Sequence, residues 1–172
     1  MKRYCSLLLL AVLPLLALRC HRDDPEPTLP PATQEGKNTM GCYVNGRPWV
    51  AIDKPNSMTS ATKVSVGGGG FSFITHRDTP QEQTAVIVGI CYGFTGAGMY
   101  NLYFPPDSCS EVFYRDYISG KAYLAIDSSR SSLTVTRYDP QARVVAGRFE
   151  FTGVAAPGDT VRLTDGRFDF RL

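Results

Sequence analysis

The chain has 172 residues, with 18 basic and 16 acidic side chains and a formal net charge of +2. That is room for one ordinary domain and a short extension. Without Lys2, Arg3 and Arg19, all near the N-terminus, 15 basic residues face 16 acidic ones, a balance that argues against nucleic-acid binding.

Met1-Lys2-Arg3 is a short positive start, and an apolar run follows from Leu7 to Leu18, broken by Pro14. As a helix the run would span only about 18 Å, short of the roughly 30 Å hydrocarbon core of a bilayer. A positive start, a short apolar stretch and a special residue at its end mark a secretory signal. That residue is Cys20, the expected lipid-attachment site after cleavage of a 1–19 signal peptide. Arg19 stands where a lipoprotein signal usually carries a small residue. The alternative is cleavage elsewhere, which leaves a periplasmic or secreted protein without an acyl chain.

From Cys20 to Lys37 the sequence is polar and Pro-rich, the composition of a tether. Some twenty extended residues could lift a domain by up to ~60 Å. Asp23, Asp24 and Glu26 fit either a solvated linker or an acidic patch of the kind that sends some Bacteroidota lipoproteins to the cell surface.

Residues 38–172 read as a single all-β domain. Apolar residues alternate at Leu133 and Val135, at Phe149 and Phe151, and at Phe168, Phe170 and Leu172, the period of half-buried strands. Val86, Val88 and Ile90 lie in a fuller apolar run, as in a central strand. Asn45-Gly46 and Asp139-Pro140 predict turns between strands. Asp165-Gly166 predicts a hairpin in which Leu163 faces Phe168 and Arg162 meets Asp169; one long strand with a bulge at Gly166 is the alternative. About nine or ten short antiparallel strands follow, arranged as a β-sandwich or, alternatively, a closed lipocalin-like β-barrel.

Four segments carry a resemblance. They are Gly36 to Trp49, Leu133 to Asp139, Gly147 to Thr152 and Thr164 to Asp169. In this order they resemble an uncharacterised family of Bacteroidota lipoproteins, a domain of unknown function. The resemblance implies an address and a fold, and no activity.

Candidate chemistry is sparse. With Cys20 acylated, Cys42, Cys91 and Cys109 remain. Cys91 ends an apolar run and reads as a buried small hydrophobe. Cys42 and Cys109 lie near turns, and an oxidising envelope permits a Cys42–Cys109 disulfide. No Cys/His spacing suits a metal, and no cofactor motif is present: Gly67–Gly70 and Gly93–Gly98 lack the Lys-Ser/Thr of a phosphate loop and read as hairpin connections. His76 reads as a strand-end histidine.

The expectation is therefore a non-catalytic binding or interaction protein, held to the membrane by its lipid, with an envelope protein or a glycan as partner. An envelope hydrolase is the alternative, built on His76 or on converging carboxylates from Asp53, Glu111, Asp116 and Asp127. Aromatics from Tyr92 to Tyr117 are expected mainly in the core, with some facing out for binding.

Overall fold

A computed structural model describes residues 27–52, 62–102, 110–126 and 130–172. Eleven strands run in chain order: β1 (Thr39–Val44), β2 (Arg47–Val50), β3 (Thr62–Gly67), β4 (Gly70–Asp78), β5 (Gln83–Ile90), β6 (Gly98–Asn101), β7 (Glu111–Asp116), β8 (Ala122–Ala125), β9 (Ser132–Asp139), β10 (Val144–Ala155) and β11 (Asp159–Arg171). All belong to one antiparallel sheet curled into a half-barrel, ordered β2-β1-β11-β10-β8-β7-β5-β4-β3. The fold is all-β, as the alternating sequence predicts. There is no α-helix among the described residues.

Strand β10 is the fork in the sheet. Val144–Glu150 pair with β9, and Gly153 and Val154 pair with β8. Strand β9 also carries the short β6. The curl brings the β2 border to β4: Ile52 N–H donates to the His76 carbonyl at 3.0 Å, and Arg77 donates to the Val50 carbonyl at 3.2 Å.

Three predicted turns form as expected. Asn45-Gly46, both at positive φ, closes the β1–β2 hairpin, the backbone that Asn-Gly favours. Asp139-Pro140 opens the β9–β10 connection. Gly68 and Gly69, also at positive φ, turn β3 into β4. Gly93–Gly98 does not make a hairpin, because β6 pairs with β9 and not with β5.

Asp165-Gly166 does not turn the chain. Strand β11 runs unbroken from Asp159 to Arg171, and a bulge sits where the hairpin was expected. Between the pairs Phe149–Gly166 and Phe151–Leu163, one residue of β10 opposes two of β11. A two-residue turn of this type needs positive φ at both central residues, and only Asp165 has it, at 51°. Flanked by β1 and β10 on both sides of the bulge, the straight strand keeps two ladders of hydrogen bonds that a hairpin would break. Gly166 faces the Phe149 carbonyl so closely that an added Cβ would lie 2.5 Å from it. Arg162 therefore never meets Asp169: its N–H bonds the Asn45 side chain at 2.9 Å.

Aromatic rings fill the interior. Phe73 packs on Phe168 and Phe170 with centroids 5.1 and 5.3 Å apart, and on Phe71 and Phe149 slightly further off. Each such pair adds about 0.5–1.5 kcal/mol beyond its buried area. Trp49 is buried with them.

The stretch expected as the end of a free tether is bound instead. Asp169, on the outer face of β11, is 1% exposed because residues 33–37 cover it. Its carboxylate accepts from Thr33 Oγ1 at 2.6 Å, Glu35 N–H at 3.0 Å and Gly36 N–H at 2.7 Å. Arg137 donates to the Gln34 carbonyl at 2.6 Å. Leu29 and Pro30 lie over Gly41 of β1, where a side chain would collide with Pro30. Residues 27–37 thus form a strap along β1 and β11.

Candidate functional site

Two surfaces stand out: a polar mouth at one end of the half-barrel and an apolar row on its outer face. The mouth is a cavity of about 640 Å³ lined by Pro27, Arg47, Trp49, Arg77, Glu82 and Tyr114, among others. Strand β4 delivers Arg77, whose Nε lies 2.7 Å from Glu82 Oε2 across the Thr79–Glu82 turn. Thr84 Oγ1 donates to Glu82 Oε1 at 3.2 Å and accepts from Trp49 Nε1 at 2.8 Å. Tyr114 also bonds Thr84, and burial pushes its phenol up to about 12. Both Glu82 oxygens are thus engaged, and Arg77 is spent on Glu82 and Val50. A network so satisfied ties β2, β4, β5 and β7 together; it offers contact surface and no unengaged carboxylate.

The outer row follows from register. Ile74 of β4 opposes Ile87 of β5, Ile87 opposes Phe113 of β7, Phe113 opposes Leu124 of β8, and Leu124 opposes Val154 of β10. Interior positions on the same strands are Phe73, Val86, Val88, Tyr114 and Ala125, so alternation sends these five side chains outward. Leu124 is 51% exposed and the neighbouring Ile126 57%. Polar residues border the row: His76 and Arg115 lie on one side, Ser72 and Glu111 on the other.

Among the described residues, the carboxylates singled out in the sequence do not converge. Glu111 and Asp116 occupy opposite ends of β7, roughly 16 Å apart along the strand, beyond the ~10 Å that paired carboxylates span in glycoside cleavage. Asp116 caps its turn by accepting from Ile118 N–H and from Ser119. Burial opposes its ionisation, but these bonds prevail and hold the carboxyl below its ordinary value. Asp53, Asp127, Cys20 and Cys109 lie outside the described residues. His76 stacks on Tyr117 at 6.3 Å. Burial, opposed by Asp78 and aided by Lys63, lowers its pKa below the ordinary histidine value.

The cysteine assignment is corrected. Cys42 is free and fully buried in the core, not paired with Cys109, and burial pushes its thiol up. Cys91, expected as the free hydrophobe, is disulfide-bonded. Alternation explains the exchange. Cys42 faces inward with Met40, whereas Cys91 follows the end of β5 and its N–H bonds Ser110 Oγ at 3.0 Å.

Of the clustered aromatics, Phe94 and Tyr114 are core, Tyr92 is 80% exposed, and Tyr117 is 45% exposed. Sequence reasoning missed the Arg77–Glu82–Thr84 network, whose members are ordinary turn and strand residues. It also missed the outer row, although Ile87 inside an inward-facing run was the available signal. Among the described residues, no group of three His, Cys, Asp or Glu could hold a metal ion. Compared with known proteins, the chain matches no family model, no curated protein and no solved structure.

Proposed function

We propose that this chain is an exported, lipid-anchored protein of the bacterial cell envelope that binds another envelope protein and catalyses no reaction. The positive start, short apolar run and Cys20 support export and acylation. The resemblance to Bacteroidota lipoproteins and the acidic Asp23, Asp24 and Glu26 support an outer-membrane or cell-surface address.

The observation that carries the binding role is the cross-strand row Ile74–Ile87–Phe113–Leu124–Val154, apolar at its centre and polar at its borders. That is the anatomy of a protein–protein contact. Four of the five members are aliphatic, which favours a protein partner over a glycan, for which flat aromatic faces are the better platform.

The test places a photo-crosslinking residue at Leu124 and, as a control, at the exposed Gln141, in native membranes. A discrete protein adduct from Leu124 alone, lost on Ile87→Glu with the anchor intact, supports the reading. Equal adducts at both positions, or adducts to lipid only, overturn it. Fatty-acid labelling of the native chain against Cys20→Ala tests the anchor separately: unchanged labelling in the variant rules out Cys20 as its site.

A further inference from the structure

The strand ends define two poles. One pole carries the turns at Asn45-Gly46, Thr79–Glu82, Tyr117–Gly120 and Pro157-Gly158. The other carries the Gly68-Gly69 turn and the exposed Tyr92. The strap runs between them. Gly36 lies against Val144 and Arg171 near the second pole, Pro30 lies over Gly41, and Pro27 reaches the mouth beside Arg77 and Glu82 at the first.

Next to that mouth the Tyr117–Gly120 turn projects apolar surface. Tyr117 N–H donates to the Gln83 carbonyl at 2.9 Å, which ties this turn to the Thr79–Glu82 turn. Ile118 is 62% exposed and Tyr117 45%. The Arg115 guanidinium lies 5.4 Å from the Tyr117 ring centroid.

We propose that this pole rests on the bilayer, with Tyr117 and Ile118 seated among the lipid headgroups. The proposal builds on acylation at Cys20. Seven chain steps separate Cys20 from Pro27 and span at most roughly 25 Å, well under the reach of a tether free to Lys37. The anchor and the strap therefore hold this pole, and not the Tyr92 pole, next to the membrane at high effective concentration. Tyrosine suits the membrane interface through its apolar ring and polar tip, and an arginine beside it can lay its stem on apolar surface and keep its charge among the phosphates. These features select a lipid surface as the occupant.

The test uses the acylated chain in vesicles of brominated phosphatidylcholine, which quench tryptophan lying near the acyl chains. Ile118→Trp and Tyr92→Trp are compared, each against the parent protein with its buried Trp49. Quenching at least several-fold stronger for Ile118→Trp is expected. Equal quenching, or stronger quenching for Tyr92→Trp, overturns the proposal. The same variants with six histidines in place of Cys20, held on nickel-chelating lipid, give the orientation independently of acylation. Mass measurement of the native chain reports acylation itself, so failure of the anchor and failure of the orientation are read separately.

Discussion

Thr33 Oγ1 donates a 2.6 Å hydrogen bond to Asp169 Oδ2 across 136 positions of sequence. With the N–H groups of Glu35 and Gly36 on the same carboxylate, it makes Asp169 the clasp of the strap. Removing the clasp strips the acceptor from the part-buried Thr33 and Glu35 donors and from the buried Gly36 N–H. Asp169→Ala is expected to lose about 3 kcal/mol in urea unfolding and to speed proteolysis within residues 27–37. Unchanged cleavage of the strap would show that Leu29 and Pro30 hold it without the carboxylate.

The clasp also titrates. Burial raises the Asp169 pKa, but the bonds from Thr33, Glu35, Gly36 and Lys37 outweigh it and hold the value below that of an ordinary carboxyl. A carboxyl depressed in the folded state stabilises above its unfolded pKa, about 3.9, and that contribution fades as pH falls through the folded value. Stability of the native chain should therefore drop on acidification from pH 5 to below 3. Asp169→Asn should remove part of that drop, measured as the urea midpoint against pH.

At alkaline pH the sign reverses. Tyr114 is pushed up to about 12 by burial, so its contribution is complete below the unfolded value of about 10 and is lost as pH rises towards 12. Tyr114→Phe should flatten this part of the stability profile. Ultraviolet titration should show one tyrosine fewer ionising late in the variant. Tyr123, also raised by burial and by Asp159, titrates late in both proteins; an unchanged number of late-titrating tyrosines in the variant would assign the Tyr114 shift elsewhere.

The β11 bulge makes opposite predictions at adjacent positions. Gly166→Ala would drive a Cβ into the Phe149 carbonyl and ring, 2.5 and 2.6 Å away, and should cost about 2–3 kcal/mol. Asp165→Gly relieves a side chain at positive φ and should be neutral or stabilising by up to ~1 kcal/mol. Thermal melts of the two variants decide it; equal destabilisation would contradict the bulge.

Cys42 is free, so the partner of Cys91 is one of Cys5, Cys20 and Cys109. The Cys91 N–H bond to Ser110, the residue that follows Cys109, points to Cys109. Peptide mapping of the unreduced, unfolded chain should recover a Cys91–Cys109 peptide and alkylated Cys42. In the folded state Cys42 should resist alkylation. By the chain-entropy argument, closing this loop contributes about 3 kcal/mol. A Cys42-containing disulfide peptide would overturn the assignment.

Local periodicity determined what it physically governs. Alternation from Phe149 to Phe151 and from Phe168 to Phe170 marked inward faces correctly, because pleating puts neighbours on opposite sides of any sheet. Asn45-Gly46 specified its hairpin because positive φ at two successive residues is a local property. Tertiary structure alone decided the rest. Asp165-Gly166 carries the same local signal, yet hydrogen bonds to β1 and β10 on both flanks keep the strand straight. The strap looked like solvated tether because its composition is polar and Pro-rich; its partner, Asp169, lies more than 130 residues away. The row from Ile74 to Val154 exists only once five strands are in register, and register is set by pairing partners that no single segment specifies.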